Sequence, residues 1–350
     1  MKSVITGSGI GIPKNVVRND TLTRLMDTSD EWILQRSGVV ERRYVDDGQS
    51  SADLGAMAAE GALAAANRTT ADIDAVIFAT MTPAYYFPGN GPVLQAKMGF
   101  PEIPTFDLRQ QCSGFLYGLD LADSLIQSGK FRRILLVGAD AHTPLMPWHR
   151  GWDITVGKER EVTAEDYEFN SRFRHLIVLF GDGAGAMVIE RSENGERGFL
   201  KSRLFTNGSN IEALYMKGGS RTRPWIEPEQ VVNGDLIPTM EGRGVFKEAV
   251  SKMPEAVRMV CEDAGVKLED VDLVLSHQAN LRITEAITKQ LGLPPEKVPH
   301  NIERYGNTTS GTLPILFHEC LTDGRIQPGM LICFTALGSG LHWGAALYRV

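Results

Sequence analysis

Residues 72–77, Asp-Ile-Asp-Ala-Val-Ile, return 198 positions later as residues 270–275, Asp-Val-Asp-Leu-Val-Leu. Each copy passes from acidic residues into a short apolar run, which is the pattern of a buried strand. Such a close match between distant segments suggests that one structural unit occurs twice in the chain.

The repeat extends beyond this segment. Cys112-Ser113-Gly114 opens a helical pattern, as Thr309-Ser310-Gly311 does 197 positions later. The apolar strands predicted at 134–137 and 331–334 are also 197 apart, and the helices before them end at Ser128-Gly129 and Asp323-Gly324, 195 positions apart. Chance similarity would not hold one offset through four elements. We therefore expect a duplicated α/β unit with pseudo-twofold symmetry.

Short apolar runs alternate with longer helical patterns, as in α/β folds. We expect the halves to span residues 1–195 and 196–350. A polar stretch at about 142–174, with Trp148 and Trp152, has no counterpart in the second half, and residues 208–239 also look irregular. A loop as long as 142–174 is typical of a lid or binding feature, although a solvated excursion is the alternative.

The predicted strands are 75–79, 105–108, 134–137, 273–276 and 331–335, and the predicted helices are 51–67, 113–127, 242–264, 281–291 and 310–321.

Length and charge restrict the class of protein. The 350 residues are enough to bury two cores, and a net charge of −7 offers no overall attraction to nucleic acid or to anionic lipid. No apolar run is long enough for a membrane span, and the N-terminus does not resemble a signal peptide. The cysteines lack metal-binding or disulfide spacing, so we expect free thiols and a cytoplasmic protein: Cys112, Cys261, Cys320 and Cys333.

Cys112 is the first candidate for chemistry. It follows the predicted strand 105–108 and begins the helix opened by Ser113-Gly114. Unpaired backbone N–H groups and the helix dipole would lower the pKa of a thiol at this position. The alternative is a small buried hydrophobic residue, the usual state of a free cysteine.

Two polar residues of the second half are the candidate partners of Cys112. His277 follows the strand 273–276, and Asn307 precedes the helix that repeats the cysteine helix. The duplication would place both near the pseudo-twofold axis. A lone histidine is more often structural, but three reactive side chains converging in this way favour catalysis.

Two glycine-rich turns are weaker signals. The turn 338–344 lies between two predicted strands, and its exposed N–H could complete an oxyanion hole. The turn 180–185 lacks the Lys-Ser/Thr of a phosphate-binding loop, so we expect a structural role for it.

Together these stretches resemble β-ketoacyl-acyl-carrier-protein synthase III, within the thiolase superfamily. The matching segments run in family order across nearly the whole chain, and they are 27–33, 112–115, 180–186, 277–283, 305–308 and the C-terminal glycine turn. The resemblance implies a thiolase-like fold with five layers, αβαβα, in a homodimer. It also implies an acyltransferase that needs no metal or redox cofactor and uses a coenzyme A thioester as substrate.

The resemblance also implies the chemistry. Cys112 would take an acyl group from acyl-coenzyme A, and malonyl-carrier protein would lose carbon dioxide to give a carbanion. His277 and Asn307 would hydrogen-bond the thioester oxygen of that extender. The N–H groups of Cys112 and Ser339 would form the oxyanion hole during the Claisen condensation.

Binding residues follow from the same correspondence. Coenzyme A would be held by Trp32 and two arginines, with pantetheine touched by an asparagine: Arg36, Arg174 and Asn280. Without the resemblance, these residues would be read as parts of a surface helix and a strand edge. Lys247 and Arg282 match basic residues suited to an acidic carrier protein, and Phe87 matches a residue that closes the partner's acyl pocket.

The sequence departs from the family pattern in three places. Ser339 stands where glycine is usual, Arg243 replaces an asparagine expected to touch pantetheine, and the 142–174 insertion precedes Arg174. These departures weaken the case for acetyl-coenzyme A as the primer and favour a longer or specialised acyl donor.

Three other functions remain open at this level. One is condensation of two acyl-coenzyme A molecules without decarboxylation, and another is acyl transfer to oxygen or nitrogen in a secondary pathway. The third is a silent subunit that shapes another synthase's pocket. The intact Cys112, His277 and Asn307 favour decarboxylative condensation over all three.

Overall fold

The computed structural model describes residues 2–148, 150–158, 160–192, 195, 197–218, 229–230 and 233–350. Its strands are β1 (Ser3–Gly11), β2 (Asn15–Arg18), β3 (Glu41–Tyr44), β4 (Ala75–Ala79), β5 (Thr105–Leu108), β6 (Arg133–Asp140), β7 (Gly183–Arg191), β8 (Gly198–Thr206), β9 (Leu214–Tyr215), β10 (Thr239–Met240), β11 (Leu273–Ser276), β12 (Leu331–Gly338) and β13 (His342–Arg349). Its α-helices are α1 (Asn19–Thr23), α2 (Asp30–Ser37), α3 (Ser51–Ala65), α4 (Gly91–Met98), α5 (Gly114–Gln127), α6 (Gly151–Thr155), α7 (Ala164–Arg172), α8 (Arg174–Ile177), α9 (Gly242–Ala264), α10 (Leu281–Leu291), α11 (Ile302–Tyr305) and α12 (Thr312–Thr322).

Two main sheets show the same strand order. The first runs β1-β7-β6-β4-β5, and the second, taken in the matching direction, runs β8-β13-β12-β11. One equivalent pair is parallel in each sheet: β4 with β6 in the first and β11 with β12 in the second. In both sheets the strand β7 or β13 is antiparallel to its two neighbours. The duplication predicted from sequence is therefore present as two equivalent sheets.

Helices α5 and α12 form the central layer between these sheets. Phe115 and Leu119 of α5 share one buried apolar cluster with Leu316 of α12 and with residues of β6 and β12. Helices α3 and α4 cover the other face of the first sheet, and α9 and α10 cover the other face of the second. This arrangement is the five-layered αβαβα fold that was expected.

Apolar periodicity predicted most element boundaries well. Strands 75–79, 105–108 and 273–276 and helices 242–264 and 281–291 lie where they were expected. The helix predicted over 51–67 ends at Ala65, and the one predicted over 310–321 begins at Thr312 because residues 309–311 form a 3-10 turn. The division of the chain into residues 1–195 and 196–350 remains a prediction.

At the turn that carries Cys112, the structure relates the two halves by an offset of 198 residues, whereas the sequence alignment gave 197. The 3-10 turns are Gln111–Ser113 and Thr309–Gly311, and Gln111 and Thr309 share positive φ values of 52° and 50°. The equivalent of Cys112 is therefore Ser310 rather than Thr309. The alignment by Ser-Gly pairs was wrong here because it matched residue type, whereas the shared backbone turn sets the true correspondence.

The insertion at 142–174 lies between β6 and β7 and folds onto the N-terminal segment. Met146 shares a buried apolar cluster with Leu25 and Ile33, and the Asn170 amide donates to the Leu25 carbonyl oxygen. In the second half, β12 and β13 are joined by residues 339–341 only. The insertion is thus packed against the body rather than a solvated excursion. Within the described residues, the helices are either too short or too polar to cross a membrane.

Candidate active site

Cys112 lies in the 3-10 turn between β5 and α5. Its side chain is buried, with 7% of its surface exposed, and the residue before it, Gln111, has a φ of 52°. Positive φ is uncommon for a residue other than glycine and is often found at functional sites. The turn places Cys112 at the carboxyl end of β5, just before the first residue of α5.

The pKa of the Cys112 thiol differs from the sequence expectation. Burial, together with the negative charge of Asp140, raises its pKa to about 12. Desolvation disfavours the thiolate more strongly than the start of the helix favours it. The predicted lowering of the pKa is therefore wrong for the resting site, and the thiol has to lose its proton as it reacts.

His277 follows β11, and its backbone N–H donates to the Thr335 carbonyl oxygen at 2.9 Å. Its ring Nδ1 lies 2.7 Å from the Thr312 hydroxyl oxygen. That hydroxyl donates its single proton to the Thr309 carbonyl oxygen, at 3.0 Å, so Nδ1 is the donor to Thr312 and Nε2 carries a lone pair. Burial lowers the pKa of His277 to about 3, so its ring is neutral.

The backbone of Asn307 is held by residues 179–181, where the glycine-rich turn 180–185 begins. Its N–H donates to the Leu179 carbonyl oxygen, and its carbonyl oxygen accepts from the Gly181 N–H. The side-chain Oδ1 accepts from the Thr309 N–H at 2.9 Å. Since an N–H can only donate, this contact assigns the oxygen of the amide and turns its NH₂ group the other way, where it can donate to a ligand.

The structure brings Cys112, His277 and Asn307 into one region. The two 3-10 turns pack against each other. Asn307 bonds Thr309, the first residue of the second turn, and His277 bonds Thr312, the residue that follows this turn. On the other side, β12 ends at Gly338, where an added Cβ would lie 2.9 Å from the Cys112 N atom. Only glycine permits this close approach.

Ser339 follows Gly338 at the edge of the same region. Its hydroxyl donates to the Leu214 carbonyl oxygen, so the side chain is tied to β9. Its hydrogen bond to β9 shows where the hydroxyl goes, while the Ser339 backbone N–H stays a candidate oxyanion donor.

A cavity of 240 Å³ opens beside Gln111 and Ser339, the neighbours of Cys112 and Gly338. Its wall is mostly apolar, and its remaining lining residues are Met81, Thr82, Arg109, His142, Leu145, Met146, Leu214, Tyr215, Met216, Leu236 and Pro238. Sequence reasoning did not name these residues, because they come from five separate segments that carry no shared motif: 81–82, 109, 142–146, 214–216 and 236–238. Leu145 and Met146 belong to the insertion, which therefore does shape this cavity. A larger groove of 780 Å³ lies along α10, and its lining includes none of Cys112, His277 and Asn307.

Trp32 lies between the two arginines predicted to accompany it. The guanidinium carbon of Arg36 is 4.3 Å from the centre of the Trp32 ring, and that of Arg174 is 4.7 Å away. Arg174 also pairs with the Asp27 carboxylate at 3.1 Å. The structure thus assembles a partly exposed aromatic and cationic cluster from α2 and α8.

Asn280 makes two contacts within the protein. Its Oδ1 accepts from the Arg282 N–H as the N-cap of α10, and its NH₂ donates to the Arg36 carbonyl oxygen at 2.7 Å. It therefore ties α10 to the helix that carries Trp32, which the sequence did not indicate. Its contact with pantetheine remains a prediction.

The last three predicted residues lie at the surface. Lys247 and Arg282 are exposed, and the Arg282 guanidinium covers Phe246, which adjoins Lys247. These residues form one basic surface where α9 meets the start of α10. Phe87 is 79% exposed, beside the exposed Tyr85 and Tyr86.

Comparison with known proteins gives a consistent result along the chain. The family described as 3-oxoacyl-[acyl-carrier-protein] synthase III matches residues 106–208, and its C-terminal region matches residues 261–350. The β-ketoacyl-[acyl-carrier-protein] synthase III of Aquifex aeolicus (strain VF5) is 39% identical over 349 residues, covering 100% of both chains. That of Rhizorhabdus wittichii is 37% identical over 348 residues, covering 99% of each.

Solved structures agree with the sequence comparison. The crystal structure of 3-oxoacyl-[acyl-carrier-protein] synthase III from Aquifex aeolicus VF5 matches with a TM-score of 0.85 and 38% identity, covering 99% of this chain and 100% of that one. The corresponding enzyme from Pseudomonas aeruginosa PAO1 matches with a TM-score of 0.84 and 32% identity, covering 100% of this chain and 98% of that one. This chain therefore belongs to the β-ketoacyl-acyl-carrier-protein synthase III family.

Proposed function

We propose that this protein is a condensing acyltransferase that loads an acyl group onto Cys112 and joins it to a malonyl-carrier protein with loss of carbon dioxide. The observation that supports this most directly is the contact of His277 and Asn307 with one 3-10 turn that packs against the turn of Cys112. One thiol and two nitrogen groups are what this reaction requires.

Loading begins with attack of the Cys112 sulfur on the thioester carbon of acyl-coenzyme A. The thiol is protonated at rest, so a base has to take its proton during attack. The His277 Nε2 has a free lone pair and suits this role. The N–H groups of Cys112 and Ser339 stabilise the tetrahedral oxyanion, and the coenzyme A thiolate leaves and takes the proton from His277.

Condensation needs a proton on the His277 Nε2, which the ring takes up from water when the extender binds. The malonyl thioester oxygen accepts hydrogen bonds from the Asn307 NH₂ group and the His277 Nε2–H, and carbon dioxide leaves as an enolate forms. The negative charge of the extender raises the pKa of His277 while it is bound. The enolate carbon attacks the acyl carbonyl, the C–S bond to Cys112 breaks, and the Cys112 thiolate recovers the proton from His277.

The two substrates use separate surfaces. Trp32 stacks on the adenine of coenzyme A, while Arg36 and Arg174 pair with its phosphates. The extender arrives on an acidic carrier protein that docks on Lys247 and Arg282. Two copies of the chain form a homodimer, in which the exposed Phe87 closes the partner's acyl pocket, and the enzyme works in the cytoplasm.

The cavity beside Gln111 suggests an acyl donor longer than acetyl. At about 30 Å³ for a group the size of a water molecule, 240 Å³ holds roughly eight such groups. Acyl-enzyme yields should therefore be higher with hexanoyl- to decanoyl-coenzyme A than with acetyl-coenzyme A. Intact-protein mass spectrometry measures these yields, and a strict preference for acetyl would refute a longer donor.

Release of labelled carbon dioxide from malonyl-carrier protein tests the reaction type. The comparisons do not favour the alternatives of condensation without decarboxylation or simple acyl transfer. We expect carbon dioxide and β-ketoacyl-carrier protein in equal amounts. Condensed product without labelled carbon dioxide, or acyl transfer without a new carbon–carbon bond, would refute the proposal.

A further inference from the structure

Asp140 is fully buried at the end of β6, and its carboxylate joins the two halves of the chain. Its Oδ1 accepts from the Thr80 hydroxyl, the Met81 N–H and both the N–H and hydroxyl of Thr82. Its Oδ2 accepts from the Thr309 hydroxyl and from both the N–H and hydroxyl of Ser310. A buried carboxylate is costly unless it is hydrogen-bonded, and these seven donors satisfy it.

The pseudo-twofold equivalent of Asp140 is Gly338, since each is the last residue of its strand. At Gly338 an added Cβ would lie 2.9 Å from the Cys112 N atom. At Asp140, the carboxylate Oδ2 lies 3.0 Å from the N atom of Ser310, which is the equivalent of Cys112. One half therefore places a carboxylate oxygen at this N–H, and the other half has a glycine without a side chain at the equivalent position.

The turn that Asp140 holds is also the turn that orients the two nitrogen groups of the site. Thr309 has a φ of 50°, which is strained for a β-branched residue and needs support from its surroundings. Its N–H binds the Asn307 Oδ1, and its carbonyl oxygen accepts from the Thr312 hydroxyl that receives the His277 Nδ1–H. A shift of Thr309 therefore moves the Asn307 amide directly, whereas it reaches His277 only through the hydroxyl of Thr312.

We propose that Asp140 is a positioning residue for the condensation step, which it serves by holding Thr309 and Ser310 so that the Asn307 amide meets the extender thioester. This inference rests on the proposed function. It assigns Asp140 no contact with substrate. It also separates the half-reactions, because the Asn307 amide bonds Thr309 directly and serves condensation only, whereas His277, which serves loading as well, is held by Thr312 on the next element.

The variant Asp140→Asn tests the positioning role directly. It keeps the size and shape of the side chain, but it replaces one acceptor oxygen by an NH₂ group, which cannot accept the hydrogen bonds that the surrounding donors make. We expect acyl loading to stay within about threefold of wild type, while condensation and malonyl decarboxylation fall roughly 10- to 100-fold in kcat. KM for malonyl-carrier protein should change little. Equal loss in both half-reactions, or no loss in either, would overturn the inference.

If Asp140→Asn does not fold, the pair of variants Thr309→Val and Thr309→Ser tests the positioning role of Asp140 instead. The valine removes the hydroxyl that binds Asp140, so it should show the same split, and the serine retains the hydroxyl and should restore condensation. Asp182→Asn is the matched control, because Asp182 is equally buried but binds Val45, His142 and Thr143 instead. It should lower both half-reactions together. A split in Asp182→Asn, or no split in Thr309→Val, would refute the role of Asp140.

The wild-type enzyme separates this inference from the proposed function. If wild type releases no carbon dioxide from malonyl-carrier protein, the proposed function itself fails. If wild type releases it and the Asp140 and Thr309 variants show no split, only the role of Asp140 fails.

Discussion

The Nδ1 atom of His277 lies 2.7 Å from the hydroxyl oxygen of Thr312. Because that hydroxyl donates to the Thr309 carbonyl oxygen, it accepts from His277, and the proton of the neutral ring resides on Nδ1. Thr312 thus selects the tautomer in which the His277 Nε2 is a base. Thr309 is thus linked to both catalytic groups of the second half: to Asn307 directly, and to His277 through the Thr312 hydroxyl.

Replacing Thr312 by valine should allow the wrong His277 tautomer. The isosteric side chain keeps the packing but removes the acceptor, a loss of about 1 kcal/mol for one buried hydrogen bond. We expect roughly a fivefold to tenfold fall in the acyl-loading rate, which rapid-quench measurements with acyl-coenzyme A would show. Thr312→Ser is the control and should load at nearly the wild-type rate; equal rates in valine and serine variants would count against tautomer selection.

The Cys112 thiol of the resting enzyme should react slowly with iodoacetamide. A pKa of about 12 leaves about a thousandfold less thiolate at neutral pH than a thiol with the ordinary value of 9.0. The rate should rise about tenfold per pH unit up to pH 10. Cys112 should still label before Cys261, Cys320 and Cys333, since it is the most exposed of the four. Rapid labelling at pH 7 that levels off below pH 8 would show that the thiolate is stabilised after all.

His277 should make the protein less stable in acid. Its pKa of about 3 in the folded protein lies below the ordinary 6.5 of the unfolded chain. Between these values the unfolded state binds more protons, so stability is lost as pH falls from about 6.5 towards 3. The urea midpoint of His277→Asn should therefore change less than that of wild type between about pH 7 and pH 4.5.

His300→Asn provides a control of opposite sign. Glu303 raises the pKa of His300, so this group adds stability as pH falls, and its removal should steepen the acid loss. If the urea midpoint changes equally with pH in wild type and in His277→Asn, the pKa of His277 is not lowered in the folded protein, which contradicts the effect assigned to its burial.

Replacing Trp32 by alanine should weaken binding of the acyl donor. Stacking of a base on an aromatic ring is worth about 1–3 kcal/mol, so KM for acyl-coenzyme A should rise roughly 5- to 150-fold. KM for malonyl-carrier protein should not change, since Lys247 and Arg282 lie on another element. An acyl-pantetheine donor, which lacks the nucleotide, is the sharper control: its kcat/KM should be the same in both proteins. If the variant loses as much activity with this truncated donor, Trp32 does not hold the nucleotide.

Local patterns in the sequence predicted the layers of the fold and the positions of Cys112, His277 and Asn307. Each of these residues follows a buried strand or precedes a helix, and the repeat related the two halves. Such features depend on a few neighbouring residues, so they can be read without knowing the tertiary packing. The same holds for Trp32 and Arg36, which lie one helical turn apart on α2.

Properties that depend on distant parts of the chain were not predictable in this way. The pKa of Cys112 is set by burial and by Asp140 on another strand, which outweigh the helix start that the sequence shows. The hydrogen bond from the Asn280 amide to the Arg36 carbonyl oxygen and that from the Ser339 hydroxyl to the Leu214 carbonyl oxygen both depend on partners far away in sequence. The cavity wall is assembled from loops such as 145–146 and 236–238, whose residues have no chemical signature.

The two-step use of the site can be tested on Asn307→Ala by peptide mass spectrometry. After incubation with acyl-coenzyme A, we expect an acyl adduct on the Cys112 peptide of both wild type and Asn307→Ala, and none on Cys112→Ala. On addition of malonyl-carrier protein, wild type should lose the adduct within seconds while Asn307→Ala keeps it. An Asn307→Ala enzyme that never acquires the adduct, or that discharges it as fast as wild type, would contradict the division of labour between Cys112 and Asn307.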